Sequence, residues 1–373
     1  MHIAVIGAGI SGLMSALELV EHGCSVSIFD QNAAGQAASW AGGGILSPMY
    51  PWRYPNEVNL LAQHAKPLYE LWNQKLRDKT QIDFQIHETG MLIFDQDDFG
   101  IGLEYAKQYN EPYQTAQLLT QQQIQNINPK INATFQQALY FSKLCNIRNP
   151  RLLQSIICYL KQHPRVHWHE YQHIDKLSIQ NNQVQAVQTK DGKKHLADQF
   201  LMTTGAWSAQ WAETLELHIP IKPIHGQMLL FKTPEKWLPT MCMNKVMYMI
   251  PRQDGHILCG SSMQDIGFDT ACSSEIQQHI QDAVFEMVPE LKQFPLVKQW
   301  SGLRPSSPNG VPYIGQLPHI ENLWMNSGHF RNGLCMAPAS AQLLRELMLG
   351  QVPFLNPDLY SPKRLAEKSN TLA

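Results

Sequence analysis

The chain reads as an α/β protein with a Rossmann-type dinucleotide-binding half, and three stretches predict this. The first is the N-terminal dozen, where the apolar run His2–Ile6 leads into Gly7-x-Gly9-x-x-Gly12. A helical pattern over 11–22 and a second apolar run, Ser25–Phe29, ending on Asp30, complete a βαβ unit. The second is a series of short apolar runs separated by turn pairs (Asn181-Asn182, Asp191-Gly192, Asp254-Gly255), which predicts antiparallel sheet. The third is Asn322-Leu-Trp-Met-Asn-Ser-Gly-His-Phe-Arg-Asn-Gly333, a strand and a polar turn that open another helix over 334–349.

Each part of the N-terminal unit has a mechanical reason. Gly7 permits a tight turn, Gly9 lets backbone approach a pyrophosphate, and Gly12 allows close helix–strand packing. The helix start offers free N–H groups and a positive dipole end to phosphate. Asp30 stands where a carboxylate accepts hydrogen bonds from ribose hydroxyls.

At 373 residues the chain is long for one simple core, and two domains are expected. A net charge of −2, with Lys and Arg dispersed, argues against a nucleic-acid surface. No basic segment precedes the first apolar run, and no run reaches the roughly 18 apolar residues of a membrane span. Neither a signal peptide nor a span is therefore expected. Seven cysteines without a C-x-x-C pair suit buried, reduced thiols and a cytoplasmic location. The polar tail after Pro362 reads as frayed.

Residues 33–55, AAGQAASWAGGGILSPMYPWRYP, crowd Gly, Ala and Ser beside Trp40, Ile45, Leu46 and Trp52. Small residues among apolar ones suit backbone lying close to a flat ring or a phosphate better than a flexible linker. A helix over 56–79, with Pro67 inside it, precedes an expected hairpin over 84–94 turning at Thr89-Gly90. Helices are expected at 99–110 and 120–127, and Asn149-Pro150 starts another running to 162. From 166 to 204 the pattern is a β-meander whose last strand runs into Gly205, a second strand end meeting the cofactor. Tyr248-Met-Ile-Pro-Arg252 and His256-Ile-Leu-Cys-Gly260 flank the Asp254-Gly255 turn, and 274–289 is amphipathic helix. His169-Glu-Tyr-Gln-His173 matches the H-E-x-x-H zinc pattern, yet its flanks alternate as a strand does, so no metal site is expected. Neither a G-x-S-x-G elbow nor a phosphate-loop lysine is present.

Several segments recur together in a known order. They are Ile6-Gly-Ala-Gly-Ile-Ser-Gly12, Ser39-Trp-Ala-Gly-Gly-Gly-Ile-Leu-Ser-Pro48, Tyr50-Pro-Trp-Arg-Tyr54 and Asn146-Ile-Arg-Asn-Pro-Arg151. Later come Gly205-Ala-Trp-Ser208, Tyr248-x-x-Pro-Arg252, Gly302-Leu-Arg-Pro305, Pro312-Tyr-Ile-Gly315 and Gly328-His-Phe-Arg-Asn-Gly333. Over residues 1–349 the chain thereby resembles the FAD-dependent D-amino-acid oxidase superfamily and, within it, the glycine oxidases of thiamine biosynthesis.

The resemblance implies two interleaved domains. Residues 1–45, 149–208 and 301–373 would form the Rossmann-type FAD-binding domain. Residues 46–148 and 209–300 would form an α+β substrate domain built on an antiparallel sheet. Ile10, Ser11, Asp30 and Gln31, beside Gly7, Gly9 and Gly12, would hold the AMP half of FAD. Ala38, Ser39, Gly43, Gly44 and Ile45 would line the pyrophosphate and ring, Ile174 would touch adenine, and Gly205 would meet the cofactor again. His329, Phe330, Arg331, Asn332, Gly333, Leu334 and Cys335 would run under the flavin. The family often has Glu where Asp30 stands, a shorter acid that still reaches a ribose. Flavin-linked relatives carry a Cys near the Gly302-Leu-Arg-Pro305 segment; this chain has none there, so the FAD is expected to be noncovalent.

The implied activity is that of an FAD-dependent amine oxidoreductase. It would oxidise glycine, or small amines such as sarcosine and small D-amino acids, to the imine and glyoxylate, with O2 reduced to H2O2. A hydride passes from Cα to the flavin, so no side chain is expected to act as acid, base or nucleophile. Arg304 would anchor the substrate carboxylate as a bidentate fork, Tyr248 would donate a second hydrogen bond, Met263 would close the pocket with Tyr248 and the flavin, and Arg331 would bind substrate or else serve the fold or flavin. A homo-oligomer is implied by the same resemblance. Two alternatives stand beside this reading: a D-amino-acid dehydrogenase feeding a quinone, and a non-catalytic dinucleotide-binding protein.

Overall fold

Four of the five residues of β1 (His2–Ile6) are buried, so the strand turns both faces to protein instead of alternating. That pattern belongs to an inner strand of a parallel sheet. The computed structural model, which describes residues 1–109 and 115–365, places it there. After β1 come α1 (Ile10–Glu21) and β2 (Ser25–Phe29), which runs parallel to β1 with Ser25 opposite His2. Further along, α2 (Asn149–Gln162) precedes β3 (Val166–His169), and β4 (Gln199–Met202) pairs with the other side of β1. The long strand β5 (Lys222–Lys232) is followed by the hairpin of β6 (Tyr248–Pro251) and β7 (His256–Gly260). The chain closes through β8 (Leu296–Ser306), β9 (Tyr313–Gln316), β10 (Leu323–Ser327) and α3 (Gly333–Met348).

Two sheets organise these elements. One has the order β9-β10-β4-β1-β2-β3 and is parallel except where β9 meets β10. Helices α1 and α3 pack on it and share one apolar core with the helix Asn56–Thr80. The other sheet has eight strands, beginning β8-β5-β7-β6 and continuing through Met241–Met243, Met91–Ile93, Gln137–Phe141 and Ala116–Thr120. Every neighbour in it is antiparallel except Met241–Met243 with Met91–Ile93. This is the α/β architecture with an antiparallel second sheet that the sequence predicts. The expected domain boundary at 300/301 falls inside β8, which is one continuous strand.

The glycine fingerprint behaves as its mechanics require. Gly7 has φ +107°, and a Cβ on Gly12 would collide with the Gly7 carbonyl oxygen where α1 crosses β1. Two strand assignments change. The 84–94 segment is not a hairpin: His87–Glu88 pairs with Cys145–Asn146, whereas Met91–Ile93 enters the large sheet. All three residues of Met91–Ile93 are buried, and Gly90 (φ +62°) turns the chain from one sheet to the other instead of back on itself. The 166–204 meander also divides. Its middle strands form a small antiparallel sheet (Ile174–Gln180, Gln183–Thr189, Lys194–His195), while β3 and β4 join the parallel one. The helix expected over 99–110 is Phe99–Gln108, and residue 110 lies outside the described residues, as does the tail from 366 on.

Candidate active site

A long cavity runs from the C-terminal end of β2, past the start of α1, to the face of the large sheet. Gly7, Gly9, Ile10 and Ser11 line one end together with Asp30, Gln31 and Ile174. The Asp30 carboxylate accepts from the Ala8 and Asn32 backbone N–H groups, both at 2.8 Å. Each oxygen keeps a second lone pair for a hydroxyl. Burial raises the pKa of this carboxyl, and those two N–H donors work against the rise. The Gln31 side chain is bonded to His173 at 3.0 Å. At the start of α1 no residue next to the helix caps it; instead Ser39 reaches in from the Ala-Gly-rich segment and accepts from Ile10 N at 2.8 Å.

That segment is pinned from behind by residues whose roles the sequence reading did not see. Asn149 donates to the carbonyls of Ser39 (3.2 Å) and Gly42 (2.7 Å). Arg252, buried in β6's continuation, donates to the Gly43 and Ile147 carbonyls and to Asn146 Oδ1, each at 2.7 Å. Both residues lie in motifs already quoted, Asn146-Ile-Arg-Asn-Pro-Arg151 and Tyr248-x-x-Pro-Arg252. Asn149 opens α2 and Arg252 directly follows β6, so each stands at the end of an element, where sequence alone does not show its partners. Gly44 has φ +83° and a Cβ there would strike the Ile147 carbonyl, so the chain can turn only at glycine. Ala38, Ser39, Gly43, Gly44 and Ile45 all line the cavity, and so does Gly205, held at φ +53°.

Across the cavity lies the start of α3. His329 is buried with Nδ1 3.5 Å from Ser11 Oγ and Nε2 3.1 Å from Ser340 Oγ, and burial pushes its pKa down to about 4. It is a neutral ring at physiological pH. Asn332, the N-cap residue of α3, is buried, and its Nδ2 donates to no described residue. Phe330, Gly333, Leu334 and Cys335 complete this wall, and burial pushes the Cys335 thiol up to about 12.

The inner end holds the substrate candidates. Tyr248 is buried, with its hydroxyl 3.5 Å from Met228 Sδ. Arg304 turns its guanidinium to the cavity and donates to Ser261 Oγ (2.5 Å), Ser262 O (3.1 Å) and His225 O (3.4 Å). All three acceptors are neutral, and no described carboxylate pairs with it. Arg331 stands exposed at the rim with Met49 Sδ 3.9 Å from its Nη2, and its positive charge helps depress the pKa of Arg304 after burial itself. Met263 is a correction. Its side chain is 59% exposed and does not line the cavity. The backbone bridge between His225 and Gln264 sets the pleat there and turns Met263 to solvent. Ser261, which the sequence reading passed over, lines the cavity in its stead.

A family described as FAD dependent oxidoreductase matches residues 2–347. The chain belongs to that family. The glycine oxidase of Pseudomonas aeruginosa is 39% identical over 96% of this chain and 98% of its own length. A bifunctional protein ThiO/ThiG of Nostoc is 27% identical over 94% of this chain, which spans 53% of that longer protein. Among solved structures, glycine oxidase from Geobacillus kaustophilus superposes with a TM-score of 0.91 at 23% identity, covering 97% of this chain and 98% of its own, a likeness of fold. FAD is therefore the cofactor, and the cavity fits it. Glycines stand where backbone must approach closely, the starts of α1 and α3 face inward without a side-chain cap from their own N-cap residues, and the unmatched Asn332 amide waits for an acceptor.

Proposed function

We propose that this chain oxidises glycine and, with graded efficiency, sarcosine and small D-amino acids, with O2 as electron acceptor. Glycine, water and O2 would give glyoxylate, ammonia and H2O2. The observation that carries this reading is Arg304, a guanidinium in the cavity wall whose acceptors are all neutral. Its charge asks for an anion, and its planar fork matches an amino-acid carboxylate. The activity named for the Pseudomonas relative supports the same reading.

When bound, FAD supplies the two-electron acceptor for turning an amine into an imine. The chain's own residues orient the substrate. Arg304 holds the carboxylate, the Tyr248 hydroxyl donates beside it, and Arg331 attracts anions at the rim. Tyr248, Ser261, Leu303, Pro305, Phe330 and Arg331 around this point include no carboxylate and no imidazole. Cofactor roles follow the cavity wall: Ile10, Ser11, Asp30, Gln31 and Ile174 toward the AMP half, and Ala38 to Ile45 with His329 to Cys335 toward the ring.

We further assign residues 1–45, 149–208 and 301–373 to the FAD domain and 46–148 with 209–300 to the substrate domain. No described helix is long and apolar enough to cross a membrane. All seven cysteines are free, which supports a cytoplasmic enzyme; the family resemblance supports a homo-oligomer, and the ThiO/ThiG relative a place in thiamine synthesis.

The test is oxygen uptake and peroxide formation across glycine, sarcosine, D-alanine, D-valine and D-phenylalanine. One methylene is worth only ~1–3 kcal/mol, so a graded fall with size is expected. A higher kcat/KM for D-valine or D-phenylalanine than for glycine would overturn the substrate assignment. Turnover with a quinone but no peroxide in air would make the chain a dehydrogenase.

A further inference from the structure

The strand β5 contains a glycine with no conformational reason to be there. Gly226 is buried mid-strand, and its φ lies outside the left-handed region, so an alanine would adopt the same backbone. A glycine at such a place weakens a strand unless something needs the space. Here something does. Gly226 lies opposite Gly302 in the β5–β8 ladder, and Arg304 lies opposite Ile224. The Arg304 side chain therefore crosses the sheet on the diagonal, which a long side chain can reach. A Cβ on Gly226 would come within 3.0 Å of Nη1, Nη2 and Cζ alike. The guanidinium is packed on the bare backbone of residue 226.

The bonds around it fix how it is presented. Nη1 donates to the His225 and Ser262 carbonyls, and one Nη2 proton goes to Ser261 Oγ. Nε–H and the second Nη2 proton are not used in these bonds, and the Tyr248 side chain is close enough to hydrogen-bond the guanidinium. We propose that Gly226 and Ser261 are the positioning residues of the carboxylate anchor: Gly226 supplies the clearance and Ser261 the tether that together hold the Arg304 guanidinium in place for the substrate. This rests on the reading of Arg304 as carboxylate anchor. It goes beyond that reading by naming the residues that make the anchor selective.

The test uses the FAD-loaded enzyme with Gly226→Ala, Ser261→Ala, Arg304→Leu and the double variant Gly226→Ala/Arg304→Leu. The readouts are KM and kcat for glycine, the Kd of acetate followed by flavin absorbance, and Tm. Gly226→Ala should raise the glycine KM and the acetate Kd at least tenfold, with a smaller change in kcat. Ser261→Ala should raise both about threefold with Tm near wild type. In the Arg304→Leu background, Gly226→Ala should add no further loss, because the group it displaces is gone. Should Gly226→Ala alone fail to fold, recovery of folding in the double variant carries the same meaning, since only the clash with Arg304 is relieved. Wild-type acetate affinity in Gly226→Ala, or an undiminished Gly226→Ala effect without Arg304, would overturn the proposal. If Arg304→Leu itself keeps wild-type KM and Kd, it is the anchor reading that fails.

Discussion

The Arg252 guanidinium donates to the Gly43 carbonyl at 2.7 Å, bolting the strand that carries Tyr248 to the glycine run beside the cavity. Its other acceptors, Asn146 Oδ1 and the Ile147 carbonyl, belong to the segment just before α2, so one buried side chain joins three stretches distant in sequence. Burial lowers its pKa only to about 10, and it stays charged at neutral pH.

Arg252→Met keeps an apolar stem of similar reach but takes the donor from two buried acceptors, Asn146 Oδ1 and the Ile147 carbonyl, and from the half-buried Gly43 carbonyl. Each such group costs ~1–3 kcal/mol, so a loss of about 3 kcal/mol or more is expected, with weaker FAD retention. Thermal melts of the FAD-free and FAD-loaded variant measure both effects. A Tm and FAD content equal to wild type would show that the bolt is dispensable.

If the guanidinium serves substrate as proposed, Arg304→Leu should cost roughly 2–5 kcal/mol in kcat/KM for glycine while FAD content stays near wild type. Arg304→Lys should recover only part, since an ammonium cannot reproduce a planar fork. Steady-state peroxide assays on glycine and on an amine without a carboxylate separate the cases. Equal losses on both substrates would point to a structural role for Arg304.

His329 makes the fold acid-sensitive. Above pH 6.5 the ring is neutral in the folded and unfolded chain alike, and it contributes nothing to the pH dependence. Between 6.5 and about 4 the unfolded chain takes up a proton that the buried ring refuses, so stability falls as pH falls; below about 4 the loss is complete. The full loss is about 3 kcal/mol. His329→Gln should flatten the stability-versus-pH curve between pH 6.5 and 4, read by urea unfolding at several pH values. An unchanged slope there would mean the ring is protonated in the folded state.

The purified protein should be yellow, and acid precipitation should release the flavin into the supernatant. No cysteine lies near the Gly302-Leu-Arg-Pro305 segment to hold the ring covalently. A yellow pellet beneath a colourless supernatant would contradict a noncovalent cofactor.

What the sequence alone determined was whatever depends on neighbours in the chain. The β1–α1–β2 unit, the turn glycines and the start of α3 were readable because their periodicity and φ demands are local. The cofactor, and Arg304 as a residue worth locating, were readable because short motifs carry them; the structure places Arg304 in the cavity wall. Tertiary structure alone decided which strands pair. Gly90 could close a hairpin or pass the chain between sheets, and only the burial of Met91–Ile93 on both faces chooses. It also decided that Met263 faces solvent, that Asn149 and Arg252 brace the glycine run, and that Gly226 makes room for Arg304. Sheet pairing, hydrogen-bond partners and clearance join residues tens to hundreds of positions apart, and no local pattern in the chain encodes such distances.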